Sequence, residues 1–146
     1  MDKFEILCVT MNRKDFSFVD KMNVKSNIVV ANQSNETKYE EFIRNERSFK
    51  MITTNTHGVG LNRNICSSYA TGDICLFSDD DVIYNDDVES VVLEEFKRIP
   101  NADVIIFNFK SDTPERQLRK YNKVKKVFWF SRKPWATFQI AFRKSS

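Results

Sequence analysis

The sequence predicts an α/β fold, with a mostly parallel sheet followed by a C-terminal antiparallel hairpin. Short apolar runs alternate with amphipathic segments as far as about residue 110, an order typical of parallel strands joined by helical crossovers. Each apolar run also ends in polar residues, and the run 74–77 leads into Asp79, Asp80 and Asp81. A chain of 146 residues can form one domain with a hydrophobic core, so residues 1–146 are expected to be a single domain.

The predicted strands are the apolar runs of this first part. They cover residues 4–10, 27–31, 49–53, 74–77 and 102–109. Short, continuous apolar runs are typical of strands that are buried on both faces of a sheet. Because ligands of open α/β sheets bind outside the carboxyl ends of the strands, the polar residues at those ends are the candidate site.

Helices are predicted between the strands. A short helix is expected to begin at Asp15 or Ser17, and an amphipathic helix is expected over residues 86–99, before Pro100. The charged segment 36–47 also indicates a helix, because its apolar residues have helical spacing. These residues are Tyr39, Phe42 and Ile43.

A further helix is predicted after the third strand. Leu61, Ile65 and Tyr69 repeat at positions i, i+4 and i+8, which places them on one helical face. Gly72 is expected to be the glycine that ends this helix.

The pattern changes in the C-terminal part of the chain. Residues 111–126 are polar and basic, and two strand-like runs, 127–130 and 136–142, flank a turn at 131–134. Both runs are rich in large apolar side chains, and the second is expected to leave a sheet edge uncovered. Exposed strand edges and apolar patches invite pairing, so the sequence favours a twofold homodimer over a monomer.

Composition excludes several classes of protein. The net charge is only +3, so charge alone does not indicate a nucleic-acid partner. No apolar run approaches the roughly 18 residues of a transmembrane segment, and the N-terminus lacks the apolar core of a signal peptide. Cys8, Cys66 and Cys75 lack metal-binding spacing and are expected to be buried, reduced thiols. These features predict a cytoplasmic protein, with the inner face of the membrane as an alternative location.

The three consecutive aspartates predict a metal site. Adjacent carboxylates repel one another, and removing them from water is unfavourable unless a positive group is nearby. The hard cations Mg²⁺ and Mn²⁺ prefer oxygen ligands and would provide this charge. Helix capping is the simpler alternative, with Asn85 capping a helix that opens at Asp86 and Asp87. Capping does not explain Asp79 and Asp81, which lie between two apolar pairs.

A calcium loop of the EF-hand type is excluded by spacing. Such a loop has Gly at its sixth position and Glu at its twelfth. Counted from Asp79, these positions hold Tyr84 and Ser90.

The order of the motifs resembles the family 2 glycosyltransferases, nucleotide-sugar transferases of the GT-A fold. Residues 10–13 (Thr-Met-Asn-Arg) resemble the turn after the family's first strand, without its proline. Residues 31–34 (Ala-Asn-Gln-Ser) stand where the family has an Asp-Asp-Gly-Ser-like loop. Residues 55–64 resemble the family's Asn/Gly and Ala-Arg-Asn segment, residues 70–73 its Ala-x-Gly-Asp, and residues 79–81 its DxD motif.

The resemblance implies a three-layer α/β/α sandwich and a role in polysaccharide biosynthesis. It implies an inverting, metal-dependent transfer of sugar from a nucleotide-diphosphate sugar, with a UDP-sugar favoured, to a glycan acceptor. Asp81, with Asp79, would ligate Mn²⁺ or Mg²⁺, Asp79 or Asp80 would bind the ribose, and Arg63 would approach the base or diphosphate. The residues expected to line the base pocket are Thr10, Asn12 and Asn32.

Two departures from the family pattern affect the expected chemistry. Asn32 stands where an acid normally meets the base, which changes the donors and acceptors offered there. The family's later motif, which supplies the catalytic base, is not recognisable, so the base is unassigned. The chain is therefore expected to be truncated. We also expect it to transfer sugar poorly on its own. His57, the single histidine, is expected to be a loop residue beside Gly58.

Three alternative functions remain open from the sequence. A haloacid-dehalogenase-like phosphatase also uses a DxD motif, but normally after its first strand, whereas here it follows the fourth. A non-catalytic nucleotide-binding or assembly subunit is the second. The third is a nucleic-acid binder using the basic, aromatic-containing stretch 116–133, for which a solvated loop is the simpler explanation.

Overall fold

The computed structural model describes residues 1–112, 123–124, 126 and 137–145. The strands are β1 (Phe4–Met11), β2 (Asn27–Gln33), β3 (Lys38–Arg44), β4 (Arg47–Thr54), β5 (Ile74–Asp79), β6 (Val104–Ile106) and β7 (Ile140–Arg143). The helices are α1 (Ser17–Lys21), α2 (Val59–Tyr69) and α3 (Val88–Arg98), and a 3-10 turn covers Thr137–Gln139. All the described strands form one sheet in the order β3-β4-β2-β1-β5-β7-β6.

The centre of the sheet is parallel, as the sequence predicts. β1 pairs in parallel with β2 and with β5, and β2 pairs in parallel with β4. The pairings of β3 with β4, of β5 with β7 and of β6 with β7 are antiparallel. The sheet is therefore mixed, with a parallel centre and antiparallel flanks.

Helices cover both faces of the sheet because the apolar residues of the central strands point alternately to each side. Ile6 and Val30 pack with α1 and α3, where Phe18 and Phe96 are buried. On the other face, Cys66 of α2 packs against Leu7, Val29 and Ala31, which are adjacent in the sequence to Ile6 and Val30. The result is the three-layer α/β/α arrangement expected from the family resemblance.

The predicted helix at 36–47 is wrong, because this segment is a β-hairpin. β3 pairs with β4 through a two-residue turn in which Asn45 and Glu46 have φ of 50° and 62°. Two positive φ values are the signature of the type I′ turn that connects tight hairpins. Tyr39 and Ile43 are four residues apart, which satisfies both a helical repeat and the two-residue repeat of a strand. Phe42 points to the other face and stacks on Phe49, with ring centroids 5.0 Å apart.

The C-terminal part also differs from the prediction. β6 is much shorter than the predicted strand 102–109, and β7 lies between it and β5. β7 is thus paired on both sides and Ala141 is fully buried, so the expected free sheet edge at this strand is absent. The first strand of the predicted hairpin, 127–130, lies outside the described residues, as does most of the basic stretch 116–133. The homodimer stays an untested prediction.

The buried face of α2 is not the apolar face that the sequence predicts from Leu61, Ile65 and Tyr69. Asn62 and Cys66 are buried, whereas Leu61 and Tyr69 are about half exposed. Tyr69 stacks on Tyr39 of β3 at the sheet margin, with ring centroids 5.8 Å apart. Burial of an asparagine on this helix follows from its hydrogen bonds in the β4–α2 connection, which are described below.

Gly72 does not end α2 in the way predicted. The cap residue Ala70 is already extended, with ψ of 136°, so no left-handed glycine is used. Gly72 is needed for space, because a Cβ there would lie 2.7 Å from Glu5 Cβ and 3.1 Å from the Lys3 carbonyl oxygen. The close approach lets the buried Glu5 carboxylate accept hydrogen bonds from the backbone N–H groups of Thr71 (2.6 Å) and Gly72 (2.8 Å).

The three cysteines are free and buried, which confirms the prediction. Burial raises the pKa of the Cys66 and Cys75 thiols to about 12. These thiols stay protonated at neutral pH and pack as small apolar groups. In the part of the chain that the structure describes, no helix is both long enough and apolar enough to cross a membrane.

We predict that Gly72→Ala destabilises the fold by about 1–3 kcal/mol, because the added methyl group overlaps Glu5 and the strand β1 cannot move without losing its pairing. Urea unfolding followed by circular dichroism measures this change. Gly60→Ala is the matched control, since a Cβ at Gly60 in α2 meets no atom within 4 Å. It should leave stability unchanged or raise it by up to about 1 kcal/mol. Equal stabilities for the two variants would contradict the spatial argument.

Candidate functional site

The candidate site lies where β1, β2 and β5 end side by side. The register pairs Val9 with both Ala31 and Asp79, so the three strands reach the same level of the sheet. Thr10 and Asn32 are paired one position further on. Parallel pairing therefore brings together polar residues that are far apart in the sequence.

Asp80 is held by two side chains at the carboxyl end of β1, Thr10 within the strand and Arg13 just beyond it. The Thr10 hydroxyl donates to Asp80 Oδ2 at 2.6 Å, and Arg13 Nη2 donates to the same oxygen at 3.0 Å. Arg13 Nε also donates to Thr10 Oγ1 at 3.1 Å, and the guanidinium lies 4.7 Å from the centre of the Phe18 ring. Burial opposes ionisation of Asp80, but these hydrogen bonds and the Arg13 charge outweigh it and lower the pKa of the carboxyl below 3.8.

Asp79 has a second arginine as its partner. Arg63 of α2 places Nη2 3.3 Å from Asp79 Oδ1. Its Nε is buried and has no hydrogen-bond partner among the described residues. The Arg63 side chain as a whole is partly exposed, so its guanidinium can offer N–H groups other than Nε to an incoming anion.

Asp81 and Asn12 differ from the other predicted site residues because both side chains are exposed. No hydrogen bond or ion pair involves the Asp81 carboxylate within the described part of the chain. Asn12 has φ of 54°, and its backbone N–H still donates to the Gln33 carbonyl oxygen at 2.8 Å. The chain turns away from the sheet at Asn12, directly beyond the last pairing of β1 with β2.

Asn32 is buried, with 1% of its surface exposed. Its Oδ1 accepts from the Arg13 backbone N–H at 3.0 Å, and its Nδ2 donates to the Arg13 carbonyl oxygen at 2.8 Å. The second Nδ2 proton goes to Thr53 Oγ1 at 3.1 Å. The structure thus places Asn32 at the predicted site, with its amide bonded to the loop after β1.

The connection between β4 and α2 is organised by Gln33. Its Oε1 accepts from the Gly58 N–H at 3.2 Å and from Asn62 Nδ2 at 3.3 Å, and its Nε2 lies 3.2 Å from His57 Nδ1. His57 belongs to this loop, as predicted. The network fixes the start of α2, the helix that carries Arg63.

Arg13 belongs to the Thr-Met-Asn-Arg turn of the sequence, but the sequence predicted no role for it. Its signal was an arginine three positions after Thr10, directly beyond the end of a buried strand. Arg13 also borders a cavity of about 320 Å³ beside β3 and β4. The other lining residues are Asn12, Lys14, Ser34, Glu36, Lys38, Glu40 and Thr53.

The described residues do not by themselves form a closed metal centre. No group of three histidine, cysteine, aspartate or glutamate side chains is arranged to hold a metal ion in the described ranges. Positive charge beside Asp79 and Asp80 is supplied by Arg63 and Arg13. An open Mg²⁺ or Mn²⁺ site remains compatible with the donors present, because such ions are often bound by one or two carboxylates together with waters and substrate phosphates.

We predict that the Arg13–Asp80 pair stabilises the fold above about pH 4 and stops doing so in acid. The folded pKa of Asp80 is lowered, so the contribution is present above its unfolded pKa and is lost as pH falls through the folded pKa. Asp80→Asn should therefore lose up to about 1 kcal/mol at pH 7, since the pair is about one third exposed, and the difference should shrink towards pH 3.

Urea unfolding from pH 3 to pH 7 checks this dependence. Asp81→Asn, at an exposed carboxylate, is the control and should differ little from the wild type at every pH. A deficit of Asp80→Asn that is independent of pH would contradict the ion-pair explanation.

Comparisons with known proteins agree with this geometry. The model of the family described as "Glycosyl transferase family 2" matches residues 22–145. A comparison with the sequences of curated proteins gives no match.

Among solved structures, the S. aureus protein TarS has a similar fold. TarS 1–349 in complex with UDP-GlcNAc is 21% identical with a TM-score of 0.60, and the match covers 81% of this chain and 37% of TarS 1–349. TarS 1–349 in complex with UDP is 17% identical with a TM-score of 0.61, over 97% and 46% of the two chains.

Full TarS gives a TM-score of 0.62 at 17% identity, over 97% of this chain and 28% of TarS. The chain thus spans less than half of these structures, and at such identities the likeness concerns the fold alone. The match of the family model over most of the chain shows that this protein belongs to glycosyl transferase family 2.

Proposed function

We propose that the chain binds a nucleotide-diphosphate sugar at the carboxyl ends of β1, β2 and β5 and serves its transfer to a glycan acceptor. The observation that carries the proposal is the partly exposed Arg63 guanidinium, whose Nη2 lies 3.3 Å from Asp79 Oδ1 at this edge of the sheet. A diphosphate group offers oxygen acceptors that a guanidinium binds well. Family membership makes a nucleotide-sugar the anion that fits this position best.

UDP is the favoured nucleotide. The support is by analogy, because the structures of TarS 1–349 include complexes with UDP and with UDP-GlcNAc. In the proposed complex Thr10 and the exposed Asn12 lie nearest to the nucleoside, and Asp79 or Asp80 binds the ribose. Asp80 is well suited to accept from a ribose hydroxyl because its lowered pKa keeps it ionised at neutral pH.

The charge of the site supports a divalent cation. Asp79, Asp80 and Asp81 outnumber the two arginines, Arg13 and Arg63, and a nucleoside diphosphate brings more negative charge. Asp81, whose exposed carboxylate has no partner among the described residues, would hold Mn²⁺ or Mg²⁺ together with Asp79. When bound, the ion acts as a Lewis acid on the diphosphate oxygens.

The arginines contribute to the same task through their fixed positions. Breaking the bond between sugar and diphosphate leaves negative charge on the departing nucleoside diphosphate. Donors that are already oriented stabilise this charge without rearranging during the reaction. Arg63 is anchored by α2 and the Gln33 network, and Arg13 is anchored by Thr10 and Asp80. Inversion at the sugar carbon also requires a base for the acceptor, and no residue is assigned to that role.

We expect UDP binding to depend on the metal and on Asp81. Removing the ion with EDTA, or replacing Asp81 by Ala, should weaken UDP binding by roughly tenfold or more, because the charge of the diphosphate would then lack the cation that offsets it. Isothermal titration calorimetry with UDP and Mn²⁺ measures both effects.

Asp87→Ala is the matched control, since Asp87 is an exposed aspartate at the start of α3 and lies outside the proposed site. It should bind UDP as the wild type does. Equal UDP affinity in EDTA, or normal binding by Asp81→Ala, would overturn the metal role. An absence of UDP binding under every condition would overturn the nucleotide proposal itself.

A further inference from the structure

The side chain of Asn32 continues the pairing of β1 and β2 beyond the point where the backbone separates. The backbone ladder ends with Asn12 N–H donating to the Gln33 carbonyl oxygen, and Asn12 then turns the chain through a left-handed conformation. The next residue, Arg13, would have an unpaired N–H and carbonyl at this level. The Asn32 amide meets both groups, at 3.0 Å and 2.8 Å.

This arrangement leaves Asn32 little capacity to meet a nucleotide base. Both Nδ2 protons are used, one by the Arg13 carbonyl and the other by Thr53 Oγ1. The side chain is buried, so a base could reach it only by displacing the loop that covers it. A carboxylate at this position could not donate to the Arg13 carbonyl, so the amide is the group that suits this structure.

The loop held by Asn32 carries Arg13, one of the two arginines that pair with the aspartates. Fixing the backbone of Arg13 sets the direction in which its side chain leaves the loop. The guanidinium then reaches Thr10 and Asp80 while packing over the Phe18 ring. The same side chain borders the cavity beside β3 and β4, so Arg13 lies between the aspartates and open space.

We propose that Asn32 is a positioning residue that holds Arg13 in place to bind the diphosphate of the nucleotide-sugar, and that Asn32 does not recognise the base. The inference rests on the proposed function, because it assigns Arg13 to the diphosphate. Affinity for the diphosphate and preference among bases should therefore respond differently to a change at Asn32. Loss of the amide weakens binding of the diphosphate, and the preference among bases stays unchanged.

The chain offers a matched control on the same strand. Asn27, at the other end of β2, is also buried, and its amide also forms hydrogen bonds with a backbone carbonyl and a backbone N–H. Its Nδ2 donates to the Phe4 carbonyl oxygen at 3.2 Å, and its Oδ1 accepts from the Ser48 N–H at 2.9 Å. Asn27→Ala removes the same chemistry as Asn32→Ala, at the end of the sheet away from the aspartates.

Calorimetry in the presence of Mn²⁺ measures the affinities of UDP, UMP and CDP. The proteins compared are the wild type, Asn32→Ala, Arg13→Ala, the double variant of these two and Asn27→Ala. Asn32→Ala should weaken UDP binding roughly tenfold and reduce the advantage of UDP over UMP, while the ratio of UDP to CDP stays as in the wild type. In the Arg13→Ala background, Asn32→Ala should add little, because no guanidinium remains to be placed. Asn27→Ala should leave all three affinities unchanged.

Two results would overturn the proposal. A changed ratio of UDP to CDP in Asn32→Ala would show that Asn32 recognises the base, and additive losses in the double variant would show that it does not act through Arg13. If the wild type binds no uridine nucleotide, the proposed function fails, and the diphosphate role fails with it. The contact between Asn32 and the loop is then judged by hydrogen exchange, in which Asn32→Ala must accelerate exchange of the Arg13 amide and Asn27→Ala must not.

Discussion

The parallel pairing of β1 with β2 and β5 determines where the charged groups of this protein lie. Because the three strands end at one level, Asp79 and Asp80 project at the same edge as the loop that carries Arg13. Neighbouring carboxylates repel one another, so an edge of this kind is stabilised by nearby cations. The arginines meet this need from two different connections, one after β1 and one in α2.

Pairing with arginine offsets the negative charge of Asp79 and Asp80 and fixes the orientation of both carboxylates in the free protein. Asp79 and Asp80 are already oriented, and the guanidinium groups are held where further negative charge can be accommodated. The site is therefore largely preorganised, which lowers the entropy that a ligand must lose on binding. Among the described residues the buried Arg63 Nε has no hydrogen-bond partner, so the hydrogen bonding of the site is incomplete within them.

The features predicted from the sequence are those that depend on local pattern. The buried central strands, α2 and α3, the free thiols and the strand-end aspartates all follow from runs and repeats within a few residues. The hairpin of β3 was missed because a spacing of four residues, as between Tyr39 and Ile43, suits a helix and a strand equally well. The special glycine at position 72 was identified, but its reason lies in its approach to Glu5, a residue distant in the sequence. The same distance concealed the link between Asn32 and Arg13, which depends on strand register.

The position of β7 has a consequence for the order in which the chain can fold. β5 and β6 follow one another along the sequence, yet they are separated in the sheet by a strand formed from residues 140–143. Leu76 pairs with Ala141, so this part of the ladder is among the contacts of longest range in the fold. Closing such a long loop is slow in comparison with forming local pairs. During synthesis on the ribosome, the edge of β5 that pairs with β7 lacks this partner until residues 140–143 have emerged, which leaves the edge open to mispairing in the meantime.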